Sequence, residues 1–190
     1  MNRNRKTITL TVTALMTALL CVAGPFSIPL GPVPLSLATL MIYLAAYILE
    51  PADATAAVCI YVLLGLTGLP VFTGFSGGAA KLFGPTGGYI LGYIPTAAAA
   101  GILMRGCRKS RILCVLSMAL ATCILYIAGT VWLKYSTGMS FEAALWAGVI
   151  PFIPGDLIKM VMASMLGSTV RSRLLDAGLL PGMGSASPRS

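Results

Sequence analysis

The 190-residue sequence contains no histidine. That removes the commonest general base and the commonest metal-binding ring. Charge is scarce as well: Asp, Glu, Lys and Arg make up 9% of the chain, and only five residues are acidic. A soluble domain is roughly one-quarter charged, so this composition cannot cover a water-facing surface. The five cysteines (Cys21, Cys59, Cys107, Cys114 and Cys123) show no CxxC spacing. They read as small apolar residues in or near helices rather than a redox or zinc motif. No Gly-Lys-Ser/Thr triplet occurs, so the glycine-rich part of the chain is not a phosphate-binding loop. Without histidine, and with no nucleophile beside a base, the chain is poor material for hydrolysis.

What is present is apolar: 57% of the residues, with a mean hydropathy of +0.91. Long Leu/Ala/Val/Ile runs replace the short alternating segments of a membrane barrel. At ~20 residues per crossing, the length accommodates six helices joined by short loops. The expected architecture is therefore all-α, a polytopic bundle of six transmembrane helices. Residues 1–176 form one domain, and the Gly-, Ser- and Pro-rich residues 177–190 a disordered tail. The formal charge of +8 does not mark a nucleic-acid-binding face, because the basic residues sit at the ends of apolar runs. Ten of the thirteen Lys and Arg residues lie in the N-terminus, the connection Arg105–Arg111 and the C-terminal segment, against Lys81 and Lys134 in the opposite loops. The positive-inside rule then places both termini in the cytoplasm. Arg3, Arg5 and Lys6 before an apolar run look like a signal peptide, but the further spans favour an uncleaved first helix.

In chain order, the first span runs from about Thr7 to Gly24 and carries Ala14 and Ala18 in a small-xxx-small spacing. The second, about 35–49, has Tyr43 and Tyr47 one turn apart. Asp53 opens the third as an acid favouring the helix dipole. Residues 68–89 hold seven glycines and two prolines, too many for a regular span. Alternation of aromatics with glycines favours a folded outer gating loop, about 70–86, over a flexible connector. The fourth span begins directly after it, so its first amides are expected to be free for an anion. Ser140 reads as the N-cap of a short interfacial helix before the sixth span.

That last span opens with Phe152-Ile153-Pro154-Gly155-Asp156-Leu157-Ile158-Lys159, an acid and a base three positions apart on one helix face. Ionisable groups inside a hydrophobic span are costly and face each other or a cavity. Three readings remain open from the residues alone. The pair is structural; or it recognises a ligand presenting N–H groups beside a carbonyl oxygen, such as a cyclic urea; or Asp156 couples transport to protons or sodium in a carrier that needs no ATPase. Helical rise places the pair ~22 Å from Arg171, in the outer part of the bilayer beneath the gating loop.

The stretches Gly68–Phe72, Gly77-Gly78, Gly84–Tyr89 and Pro151–Lys159 resemble the signatures of the BioY family, the biotin-binding S components of energy-coupling factor (ECF) vitamin transporters. The resemblance covers nearly the whole chain. It implies a plasma-membrane bundle that holds biotin near its outer face, with no cofactor. A transmembrane coupling protein and two cytoplasmic ATPases would be its partners. It further implies that Asp156 and Lys159 hold the biotin ring system and that Phe72, Tyr89 and Tyr43 pack on its apolar parts. The backbone of Thr86, Gly87 and Gly88 would receive the carboxylate, and Ala14 and Ala18 would meet the coupling protein; Lys81 in the gating loop, which the family pattern does not assign, is a second candidate for the carboxylate. An S component for another vitamin is the alternative within this class. Two departures stand out: Ser36-Leu37-Ala38 replaces a Thr-Leu-Gln stretch, and Glu50-Pro51-Ala52-Asp53 replaces a commonly basic turn.

Overall fold

The computed structural model describes residues 3–29, 32–108 and 110–180. Lys109 of the basic connection and residues 181–190 of the tail lie outside the described residues. Helix accounts for 76% of the described residues. The elements in order are α1 (Arg3–Ala23), β1 (Ser27–Pro29), β2 (Pro34–Ser36), α2 (Ala38–Ile48), α3 (Pro51–Leu66), α4 (Ala79–Phe83), α5 (Gly87–Met104), α6 (Arg111–Thr137), α7 (Phe141–Gly148) and α8 (Ile153–Asp176). A 3-10 turn, Ile150–Phe152, joins α7 to α8. The two strands make a small antiparallel hairpin with Ser27 opposite Ser36.

Among the described residues, four apolar stretches are long enough to cross a membrane: α1, α5, α6 and the continuous α7–α8 segment. α2 and α3 are apolar but shorter. The eleven residues of α2 rise only ~17 Å, against ~30 Å of hydrocarbon. This helix does not need bilayer length, because ten of its residues are buried among its neighbours, chiefly α8 and α5. The β1–β2 hairpin continues from its N-terminal end in place of further helix, and that is the part of the bundle where a pocket opens.

At the opposite end, α2 stops at a cluster of charge. Arg108 donates to Glu50 Oε1 at 2.9 Å and to the Leu49 carbonyl at 2.6 Å. Arg171 donates to Glu50 Oε1 at 3.3 Å and to the Ile48 carbonyl. Arg105 lies 3.3 Å from Oε2. Cations at the C-terminal carbonyls of a helix complement its dipole. Burial pushes the Glu50 carboxyl up, but Arg108 and Arg171 outweigh it and hold it below the usual range. Residues read from sequence as topology markers and as a departure from the family pattern thus form a single tie between α2, α8 and the α5–α6 connection.

The glycine-rich stretch is folded. Phe72 and Ser76 pair as an isolated bridge, the Gly74 amide donates to the Pro25 carbonyl at 2.9 Å and the Gly78 amide to the Gly65 carbonyl at 2.7 Å. Trp132 of α6 anchors its far end through an N–H···O bond of 2.9 Å to Gly84. Ser140 caps α7, accepting from the Ala143 amide at 3.2 Å. The tail expectation needs correction in its first residues. Gly178, at φ +69°, turns the end of α8 so that the Leu179 amide reaches the Leu174 carbonyl at 2.8 Å, and Leu180 is buried. A glycine cap of this kind extends order past the last helical residue.

α1 offers two faces. Thr13, Met16, Thr17 and Leu20 are buried, whereas Ala14, Leu15, Ala18 and Leu19 are exposed.

Candidate ligand-binding site

Pro154 lies in the first turn of α8, where its missing N–H is no loss. Asp156 follows in the same turn, where an acid is favoured by the helix dipole. Gly155 lets the hairpin close in: a Cβ there would stand 2.9 Å from Leu35 Cδ2. Asp156 and Lys159 are 4% and 6% exposed and form an ion pair of 3.1 Å. Neither charge relies on the other alone. Lys159 Nζ also donates to the Ser36 carbonyl at 2.6 Å and to Thr39 Oγ1 at 3.0 Å. Asp156 Oδ1 accepts from Thr39 at 3.3 Å, and Oδ2 from the Tyr126 hydroxyl at 2.8 Å. Buried charges hydrogen-bonded in this way escape much of the desolvation penalty of an isolated pair.

The pair lies on a pocket with about 350 Å³ of empty space, its open mouth included. The described lining residues come from the hairpin segment (Val33 to Ser36), α2 (Thr39), α5 (Tyr89, Tyr93), α6 (Leu125, Tyr126), the α7–α8 junction (Gly148, Phe152) and α8. Apolar and aromatic walls around a few polar groups are what small-molecule sites present. Chemically the site offers one carboxylate acceptor and one ammonium donor side by side. Either neighbour can be exchanged for a group of the same hydrogen-bonding type on a ligand.

The structure brings Asp156, Lys159 and Tyr89 onto this one pocket. Tyr89 is seated between two helices: its hydroxyl donates to the Gly148 carbonyl at 2.9 Å, and its ring lies against Gly129. The other expected contacts are elsewhere. Phe72 stacks edge-on against Tyr61 at 5.6 Å and lies over Gly65, so it fastens the glycine-rich stretch to α3. Tyr43 is buried in the core, its hydroxyl 2.7 Å from Thr122. Thr86, Gly87, Gly88 and Lys81 are not among the described lining residues. Two of the first three amides of α5 are engaged rather than free for an anion: Gly87 donates to the Gly84 carbonyl at 3.0 Å and Tyr89 to that of Thr86 at 3.1 Å. Leu82 and Trp132 close over Gly87 and Gly88, where a Cβ would clash.

Sequence reasoning missed Ser36, Thr39, Tyr93 and Tyr126. Each is a hydroxyl-bearing residue inside or beside an apolar run, and that was the available signal. Ser36 in particular enters the sequence reading only as part of a stretch that departs from the family pattern, yet its carbonyl is the shortest partner of Lys159.

The BioY family model matches residues 1–176. The chain belongs to the BioY family. This is a family of transport proteins rather than of enzymes. Among its BioY relatives, the biotin transporter BioY of Thermotoga maritima is 41% identical over 153 residues, covering 80% of this chain and 89% of that protein. The biotin transporter BioY2 of Lactococcus lactis subsp. cremoris is 34% identical over 165 residues, covering 87% and 91% respectively. The fold is similar to the crystal structure of the S component for biotin from an ECF-type ABC transporter. The TM-score is 0.85 at 31% identity, over 90% of this chain and 95% of that one. The helical bundle, with its several apolar helices, is accordingly a multi-pass membrane protein.

Proposed function

We propose that this chain binds biotin and mediates its uptake as the membrane-embedded S component of an ECF-type transporter. The observation that carries the reading is the buried Asp156–Lys159 pair lining an aromatic-walled pocket. A cyclic urea presents N–H groups and a carbonyl oxygen side by side. Asp156 accepts from one ureido N–H and Lys159 donates to the adjacent ureido oxygen, with Tyr89 against the apolar part of the ligand. Phe72 and Tyr43 act behind the lining, by holding its helices.

In this reading the six apolar helices α1, α2, α3, α5, α6 and α7–α8 each make one crossing of the plasma membrane. The bias of ten basic residues against two puts both termini and the Glu50 cluster on the cytoplasmic side. The pocket and the glycine-rich gating loop then lie toward the outer face. The exposed Ala14 and Ala18 on α1 meet the transmembrane coupling protein, and two cytoplasmic ATPases supply the energy.

The test is equilibrium binding of biotin to the purified protein in detergent, with Asp156→Asn compared against wild type. A hydrogen bond to a charged group contributes about 1.5–3 kcal/mol, and each 1.4 kcal/mol is about tenfold in affinity. The Asn variant should therefore bind at least tenfold more weakly while remaining folded. Unchanged affinity in Asp156→Asn, or no binding by folded wild type, would overturn the assignment.

A further inference from the structure

Tyr126 stands between two voids. On one side it lines the ligand pocket and donates to Asp156 Oδ2 at 2.8 Å. On the other it lines a cleft between α6 and α7, bounded by Ile127, Thr130, Val131, Phe141, Leu145 and Val149. This cleft encloses about 130 Å³, more than the ligand pocket does, and presents no polar surface. Ile127 and Phe141 on its rim are 66% and 51% exposed, so it opens sideways from the bundle.

The hydrogen bonds at Asp156 give this position its importance. Oδ1 is engaged by Lys159 and Thr39, and Oδ2 by Tyr126. Three of the carboxylate's four acceptor positions are taken, so a ligand N–H arriving from the pocket crowds these donors, and the one that can move gives way. Lys159 is held by its own charge, because an unpaired buried ammonium is strongly unfavourable. Thr39 is buried on the packed helix α2 and accepts from Lys159 as well. Tyr126 is neutral, half-buried and next to empty space. The enclosed space of the pocket, about 40 Å³, is far below the ~300–1,000 Å³ found for small-molecule sites, so a bicyclic ligand with a side chain fits only when a wall gives way.

We propose that Tyr126 is a specificity-determining gate. In the ligand-free pocket its hydroxyl occupies the acceptor site on Asp156 Oδ2; when a ligand N–H takes that place, the ring swings into the α6–α7 cleft. This rests on the ureido recognition proposed above. Only a ligand that donates to the carboxylate compensates for the lost hydroxyl, so an apolar acid of similar length leaves the gate shut.

The experiment measures biotin affinity and association rate for wild type, Tyr126→Phe, Leu145→Phe and the double variant Tyr126→Ala/Leu145→Phe, with thermal unfolding as a control for folding. Tyr126→Phe removes the competing donor and should bind biotin roughly tenfold more tightly, within what a hydrogen bond to a charged acceptor carries. Leu145→Phe fills the cleft and should slow association several-fold. The double variant, with no ring to move, should recover the wild-type rate. Should Leu145→Phe fail to fold, Val149→Phe fills the same cleft and takes its place. Wild-type binding together with weakened or unchanged affinity in Tyr126→Phe, or with a cleft-filling variant that associates at the wild-type rate, would overturn the gate and leave the biotin reading standing. No binding by folded wild type would overturn both.

Discussion

Gly129→Ala is the most informative single change to the seat of Tyr89. A methyl group at Gly129 would stand 2.2 Å from Tyr89 Cε1 and 2.3 Å from Cδ1, whereas carbon atoms pack at about 3.5–4.0 Å. The ring must therefore move by more than ~1 Å to restore that spacing. Behind it, Gly148 offers no retreat, since even a Cβ there would be 2.0 Å from the tyrosine oxygen. The open direction is the pocket that Tyr89 lines. Overpacking costs about 1–3 kcal/mol, and losing the hydrogen bond to Gly148 another 0.5–1.5 kcal/mol or so. Alanine recovers about 0.5–1 kcal/mol as a better helix former. Global stability should thus fall by about 0.5–4 kcal/mol net, roughly 1–16 °C in Tm at ~2–4 °C per kcal/mol for a chain of this size. Affinity should fall by about tenfold or more, because the displaced ring occupies ligand volume. Isothermal titration with biotin and a thermal melt in the same detergent separate the two effects. Gly106→Ala is the control, having nothing within 4 Å of its added carbon. A Gly129→Ala protein that binds like wild type would refute the claim that Tyr89 shapes the site.

Three further outcomes are expected. Lys159→Met alone should destabilise the fold by about 3–5 kcal/mol by leaving a buried carboxylate unpaired, whereas Asp156→Leu/Lys159→Met should recover most of that loss; chemical or thermal unfolding distinguishes them, and equal losses would contradict the pairing. Glu50→Gln should cost about 1–2 kcal/mol at neutral pH, toward the low end for charge-assisted bonds because the side chain is 25% exposed. The same carboxyl, held below its ordinary value of 4.5, stabilises the fold above that pH and loses its contribution as pH falls through the lower folded value. Wild-type Tm should therefore drop on acidification below about pH 4.5, and the drop should shrink in the Gln variant. Trp132→Phe removes the bond to Gly84 and should increase amide exchange across residues 79–86 while leaving α2 unaffected; uniform exchange would show that the anchor is not there.

Much of the site was legible where its residues are neighbours in the chain. Asp156 and Lys159 share one helical turn, and the cost of burying them flagged the position at once. The glycine count of residues 68–89 announced irregular backbone. Contacts that cross between spans were another matter. Tyr43 and Tyr47 look equivalent one turn apart, yet Tyr43 meets Thr122 on α6 while Tyr47 reaches the Arg108 carbonyl beyond α5. Tyr126 was passed over inside α6, although it is the residue that touches Asp156 from across the pocket. Phe72, drawn toward the ligand by its place in a motif, instead fills the space left by Gly65.

The sequence by itself determined the medium, the order of the apolar helices and the position of the one acid–base pair among them. Composition, charge placement and spacing along a single helix carry that information. Only the tertiary structure decided which tyrosines face the pocket, that Ser36 and Thr39 complete the Lys159 shell, and that α2 is short enough to leave room for the pocket. In a soluble protein the apolar stripe of a helix tells which way it is turned. Here lipid and core are equally apolar, so the rotation of each span is set by close packing at residues such as Gly129, Gly148 and Gly155.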